Sequence, residues 1–111
     1  MTAFSKYDIV VVKFPFASSL KYKARPAVIL SSSTYNNESR NSLIILAISS
    51  QISTKLEMEF EIVDWKFSGL LKPSIFKSSV ATIDQDVILT KLGQLSQKDS
   101  QKLEKMLTLM C

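Results

Sequence analysis

The sequence has no histidine in its 111 residues. That removes a histidine general base and a histidine metal ligand from consideration. It has one cysteine, Cys111, at the last position. An internal disulfide framework and a cysteine-built zinc site are excluded with it. No apolar run approaches the roughly 20 residues that a membrane-spanning helix requires. The opening stretch "MTAFSKYDIVVVKF" lacks the layout of a signal peptide, because its apolar run reads as a core strand. The expectation is a cytoplasmic protein that makes no membrane contact. No internal repeat, low-complexity segment or linker breaks the chain, and no cofactor is expected.

What is present is a globular composition. Apolar residues make up 46% and charged residues 22%, which places the chain among folded proteins. A length of 111 residues predicts one domain, 1–111, with a single core, small enough that a dimer would add to its stability. The net charge is +4. A mild basic excess suits an anionic partner such as RNA, DNA or an acidic polypeptide, and it also serves plain solubility.

Tyr7 to Phe14, "YDIVVVKF", is rich in β-branched residues and predicts a central strand. "PFASSLKYKARP" (15–26) has proline at both ends and predicts a loop. "AVILSSS" (27–33) predicts the second strand, "TYNNESRN" (34–41) a turn or exposed loop, and "SLIILAISS" (42–50) the third strand. "KLEMEFEIV" (55–63) alternates, with Glu57, Glu59 and Glu61 facing one way and Met58, Phe60 and Ile62 the other. That is the pattern of a half-buried antiparallel strand. Three carboxylates along one strand diverge too little to wrap a hard cation, so they read as a solvated face and not a metal site.

"DWKFSGLLKPS" (64–74) predicts a loop whose Trp65 fits either the core or a dimer surface. "SIFKSSVATI" (74–83) predicts a fifth strand, "DQDVIL" (84–89) a short helical turn with Asp84 as N-cap, and "TKLGQLS" (90–96) a short strand. "SQKDSQKLEKMLTLM" (96–110) predicts the one clear helix, capped by Ser96 with Asp99 three residues on. Its Leu103, Met106, Leu107 and Met110 form one apolar stripe, read as core packing. Five or six short strands and a terminal helix predict a small β-barrel-like sheet of the mainly-β or α+β kind.

Arg25 stands directly before Pro26, at the lip of a run that reads as a fully buried strand. If the preceding segment is extended, Lys21, Lys23 and Arg25, at spacing two, point the same way as a cationic strip. Arg25 is then either a loop arginine paired with a carboxylate or carbonyl, or a phosphate ligand. Its planar fork can meet two phosphate oxygens at once. Lys21 and Lys23 would strengthen binding to a phosphate backbone without reading sequence, or belong to a solvated loop. Tyr22 offers a ring for base stacking, while Phe16, beside Pro15, reads as packing.

"YDIVVVKFPF", "KARPAVILSSSTYN", "IILAISSQI", "GLLKPSIFKSSVATID" and "KLGQLS" with a closing helix resemble, in that order, the MazF/PemK toxin family. The most specific piece is the Arg-Pro-Ala-Val-Ile-Leu-Ser run after the first strand. The resemblance implies a small SH3-like (plasmid-maintenance-toxin) β-barrel with a C-terminal helix, usually a homodimer. It implies a metal-independent endoribonuclease acting on single-stranded RNA. It also implies a cognate antitoxin whose acidic, flexible segment fills the RNA groove.

The family's catalytic arginine falls on Arg25, and its catalytic threonine on Ser49. Serine keeps the hydroxyl but fixes its rotamer less firmly. A polar position on the fifth strand, often glutamine, matches Ser79 or Ser78. Ser50 and Gln51 complete an RNA-binding set with Lys21, Lys23 and Ser79. Such an enzyme would use the 2′-hydroxyl as nucleophile and leave a 2′,3′-cyclic phosphate. The serines at 49 and 79 keep a second reading open, a catalytically weak or inactive member that binds an antitoxin, DNA or another protein.

Overall fold

A computed structural model describes residues 4–15 and 22–111. Six strands make one antiparallel sheet: β1 (Asp8–Pro15), β2 (Tyr22–Ile29), β3 (Ser42–Ser49), β4 (Glu61–Ile62), β5 (Ser74–Asp84) and β6 (Ile88–Gln94). Their spatial order is β4-β5-β3-β2-β1-β6. The sheet curls into a half-barrel. A short helix, α1 (Ser33–Glu38), joins β2 to β3, and α2 (Gln97–Met110) follows β6.

The apolar runs of β1, β2 and β3 are nearly continuous because both faces of the sheet are covered. Ile9, Val28, Leu46, Ile48 and Phe76 point to one face and pack against Leu103 and Met106 of α2. Val10, Val12, Ala27, Ile29, Leu43 and Ile45 point to the other, where Phe4, Ala81, Ile83 and Ile88 close over them. Leu107 and Met110 pack at the margin of the helix-side core, so the stripe on α2 serves packing. Trp65 also packs there, half-buried.

Ser96 caps α2, its hydroxyl accepting the Asp99 N–H at 3.2 Å. Asp99 is fully buried. Its two carboxylate oxygens accept the backbone N–H groups of Val63 at 2.9 Å and Asp64 at 2.8 Å. The first turn of α2 is thereby tied to the chain just after β4. Asp84 caps the 3₁₀ turn Gln85–Val87 by accepting the Asp86 N–H at 2.8 Å.

Three segments differ from expectation. Residues 22–26, expected in a loop, belong to β2, and Pro26 pairs with Val11 of β1. Leu30 donates to Ile44 of β3, so by alternation the backbone of residue 26 faces the β3 side. The β2–β3 ladder covers only Ala27 to Ile29, and the missing proline N–H forfeits no ladder bond.

Residues 34–41, expected as a turn or loop, contain most of α1. β2 stops at Ile29, and the serines placed in that strand do other work. Ser31 is buried and accepts the Ile44 N–H at 3.1 Å while donating to Asn36. Ser32 caps α1 by accepting the Tyr35 N–H at 3.2 Å.

The strand expected over 55–63 shrinks to Glu61–Ile62, paired with β5. Glu59 is the reason. Its side chain is 2% exposed and turned inward, and its backbone closes a turn on Leu56. Glu57 and Glu61 are exposed as a solvated face requires, but Glu59 is not part of it.

Candidate active site

Ala27 stands opposite Ala47, Val28 opposite Leu46 and Ile29 opposite Ile45. Carried on by two residues, the same register would bring Arg25 opposite Ser49, but the ladder ends at Ala27. Two cavities flank that point. The first, of about 290 Å³, is lined by Arg25, Ala47, Ser49, Gln51, Lys77 and Ser79 among others. The second, of about 350 Å³, includes Arg25, Ser49, Ser50, Gly69, Leu71 and Lys72. Arg25, Ile48 and Ser49 belong to both walls.

Arg25 and Ser49 are half-buried. The Ser49 hydroxyl oxygen accepts the Gln51 N–H at 3.1 Å. That bond occupies a lone pair and leaves the hydroxyl proton to be donated. It also makes the oxygen a poorer base, so Ser49 is fitted to donate a hydrogen bond rather than to abstract a proton. Gln51 and Ser79 are exposed on the first cavity, and Ser50 is exposed on the second. Between the two matches for the fifth-strand position, only Ser79 lines a cavity; Ser78 is bonded to Glu59. Lys21 and Phe16 lie outside the described residues, as do the side chains of Tyr22 and Lys23. The backbone of Lys23 is in β2, paired with Phe14 and two residues from Arg25.

Sequence reasoning missed Lys72, Lys77 and Glu59. Lys77 and Ser79 bracket Ser78 in "FKSSV", and a lysine at spacing two from Ser79, hence on its face of the strand, was the available signal. Glu59 gave none, because it fits the alternation of its exposed neighbours. Burial pushes its carboxyl up, but hydrogen bonds from Leu56 and Ser78 and the charge of Lys77 outweigh this and hold its pKa below the usual glutamate range. The walls of the two cavities carry three cations, Arg25, Lys72 and Lys77, and no carboxylate among the described residues. No group of three or more Cys, Asp or Glu side chains among the described residues is placed to hold a metal ion.

The family model described as PemK-like, MazF-like toxin of type II toxin–antitoxin system matches residues 5–111. The chain belongs to this toxin family. No curated protein matches it. Among solved structures, it is similar to a mycobacterial endoribonuclease in complex with its cognate antitoxin, with TM-score 0.75, 15% identity, and coverage of 96% of this chain and 93% of that one. It is similar to the Mycobacterium tuberculosis toxin MazF-mt6, with TM-score 0.74, 20% identity, and coverage of 92% and 93%. It is also similar to MazE-MazF from Deinococcus radiodurans, with TM-score 0.73, 15% identity, and coverage of 98% and 97%. At such identities the likeness is one of fold. The MazF-like sheet and its C-terminal helix are present as the resemblance implied, with the barrel half open.

Proposed function

We propose that this toxin is a metal-independent endoribonuclease that cleaves single-stranded RNA and is neutralised by a cognate antitoxin. The observation that carries the reading is the position of Arg25 and Ser49, where the β2–β3 ladder ends, on the wall shared by two cation-lined cavities. A phosphate set between the cavities would have nucleotides on either side and both functional groups beside it. The chain also belongs to a toxin family, and a structural neighbour is an endoribonuclease in complex with its antitoxin.

In the proposed reaction the 2′-hydroxyl attacks the adjacent phosphorus. The bond from the 2′-oxygen to phosphorus forms and the bond to the 5′-oxygen breaks. The 2′-hydroxyl proton passes to solvent water, and water protonates the departing 5′-oxygen. The products are a 2′,3′-cyclic phosphate and a 5′-hydroxyl. The intermediate phosphorane carries extra negative charge, which the guanidinium fork of Arg25 stabilises through two oxygens. A guanidinium is a permanent cation and a poor proton donor, so Arg25 contributes charge and not protons. Ser49 donates a hydrogen bond to a phosphate oxygen, the direction left open by its bond from Gln51. Gln51, Ser50 and Ser79 contact the flanking nucleotides, and Lys21 and Lys23 strengthen binding to the backbone. With no strong base at the site, the enzyme is a modest catalyst, which suffices for growth arrest. The antitoxin's acidic segment competes for the same cations. The active form is a cytoplasmic homodimer.

The test is incubation of purified protein with a long single-stranded RNA in EDTA, comparing wild type with Arg25→Ala. Cleavage that persists in EDTA and is lost in the variant supports the enzyme. Absence of cleavage, together with tight binding of a co-encoded acidic peptide, favours the binding-only reading that the serines at 49 and 79 leave open.

A further inference from the structure

β5 carries a defect beside the site. Between the pairs Leu46↔Val80 and Ile48↔Phe76, the three residues from Lys77 to Ser79 stand opposite Ala47 alone. A bulge of this kind releases backbone donors from the ladder and re-aims side chains. Here one released donor has a dedicated partner. The Ser78 N–H donates to Glu59 at 2.6 Å, and the Ser78 hydroxyl donates to the same oxygen at 2.8 Å. The other Glu59 oxygen accepts the Leu56 N–H at 2.8 Å.

The register shift is two residues long, so the alternation of faces survives it. Phe76 stays in the helix-side core and Ser78 is turned to Glu59. Lys77, Ser79 and Ala81 line the first cavity together with Arg25 and Ser49. A buried carboxylate from a distant loop thus holds the bulge at Ser78, and the exposed Lys77 beside it lines the cavity.

We propose that Lys77 is a second phosphate contact, holding the RNA phosphate next to the scissile one across the first cavity from Arg25, and that Glu59 is its positioning residue. This deepens the reading of the chain as a ribonuclease and rests on it. Lysine suits the task because a flexible point charge binds a phosphate oxygen without demanding one geometry. Glu59 acts through the backbone and hydroxyl of Ser78 and through its charge, which is felt at Lys77.

The experiment measures kcat and KM on a long single-stranded RNA in EDTA, from 50 to 200 mM salt, for wild type and for Lys77→Ala, Glu59→Gln and their combination. Loss of one charged hydrogen bond should lower kcat/KM of Lys77→Ala about tenfold at the low-salt end, mostly through KM. The dependence of log kcat/KM on log salt should flatten by about 0.7, one phosphate contact on a single strand. Glu59→Gln should produce part of the same loss, and little more should follow when it is added to Lys77→Ala. Should Glu59→Gln fail to fold, Ser78→Ala, which removes only the hydroxyl bond, takes its place with the same expected non-additivity. A wild type that cleaves RNA while Lys77→Ala keeps its KM and salt slope overturns the assignment and leaves the ribonuclease standing. Additive losses overturn the role of Glu59. A wild type that neither cleaves nor binds the RNA overturns both readings.

Discussion

The hydroxyl of Ser49 already accepts a hydrogen bond from Gln51, which leaves its proton to be donated and makes its oxygen a poorer base. Removing it should cost a transition-state hydrogen bond: Ser49→Ala is expected to slow single-turnover RNA cleavage about a hundredfold. Ser49→Thr, which keeps the donor and stiffens the rotamer, should stay within a few-fold of wild type or exceed it. A Ser49→Ala enzyme with full rate would remove the residue from the mechanism.

Glu59 gives a second test at this scale. Its carboxyl is held below the ordinary glutamate range, so its contribution to stability is present above the unfolded value of about 4.3 and is lost as pH falls through the lower folded value. Glu59→Gln should therefore lower the urea midpoint at pH 7, by about 1–3 kcal/mol of stability. The gap to wild type should narrow as the pH is taken below the ordinary glutamate range. A gap that stays constant with pH would contradict this.

Arg25 was legible in the sequence because proline and a buried run mark its place. Glu59 was not, since a carboxylate bonded inward at 59 and solvated ones at 57 and 61 follow one alternation.

Elements whose own apolar pattern is clear were the legible ones. β1, β3, β5 and the capped helix α2 stand where periodicity put them. The failures have tertiary causes. Tyr22 to Pro26 is strand because it pairs with β1, and Pro26 is tolerated there because the ladder from β3 stops short of it; the segment 55–63 bends because Glu59 is claimed by a bulge in β5.

The loop over 64–73 depends on two glycines in contact. Gly69 has φ +90°, and a Cβ there would lie 2.5 Å from the carbonyl oxygen of Leu92. Gly93 offers the reciprocal approach, where a Cβ would lie 2.7 Å from the carbonyl oxygen of Ser68. Gly69→Ala should destabilise the fold by about 1–3 kcal/mol, from the backbone conformation and the clash together. Because Gly69 also lines the second cavity, RNA cleavage should fall as well. Chemical unfolding with m unchanged would measure the first effect, and an unchanged midpoint would contradict the packing described here.

Across the whole molecule, the sheet brings cations from β2, β5 and the loop before β5 to one region whose described walls hold no carboxylate. The mild net charge of +4 conceals this concentration, which is why composition alone pointed no further than an anionic partner. An extended polyanion that follows both cavities past Arg25 and Ser49 would meet all three cations. In the proposed reaction Arg25 would stabilise charge at the phosphorus while the RNA supplies its own nucleophile.

The direct test is the chemistry of the ends produced from single-stranded RNA in EDTA, identified by mass spectrometry. The account predicts 2′,3′-cyclic phosphate and 5′-hydroxyl ends from wild type, and no products when the 2′-hydroxyls are methylated. Ends bearing 3′-hydroxyl and 5′-phosphate, or cleavage of the methylated RNA, would contradict it.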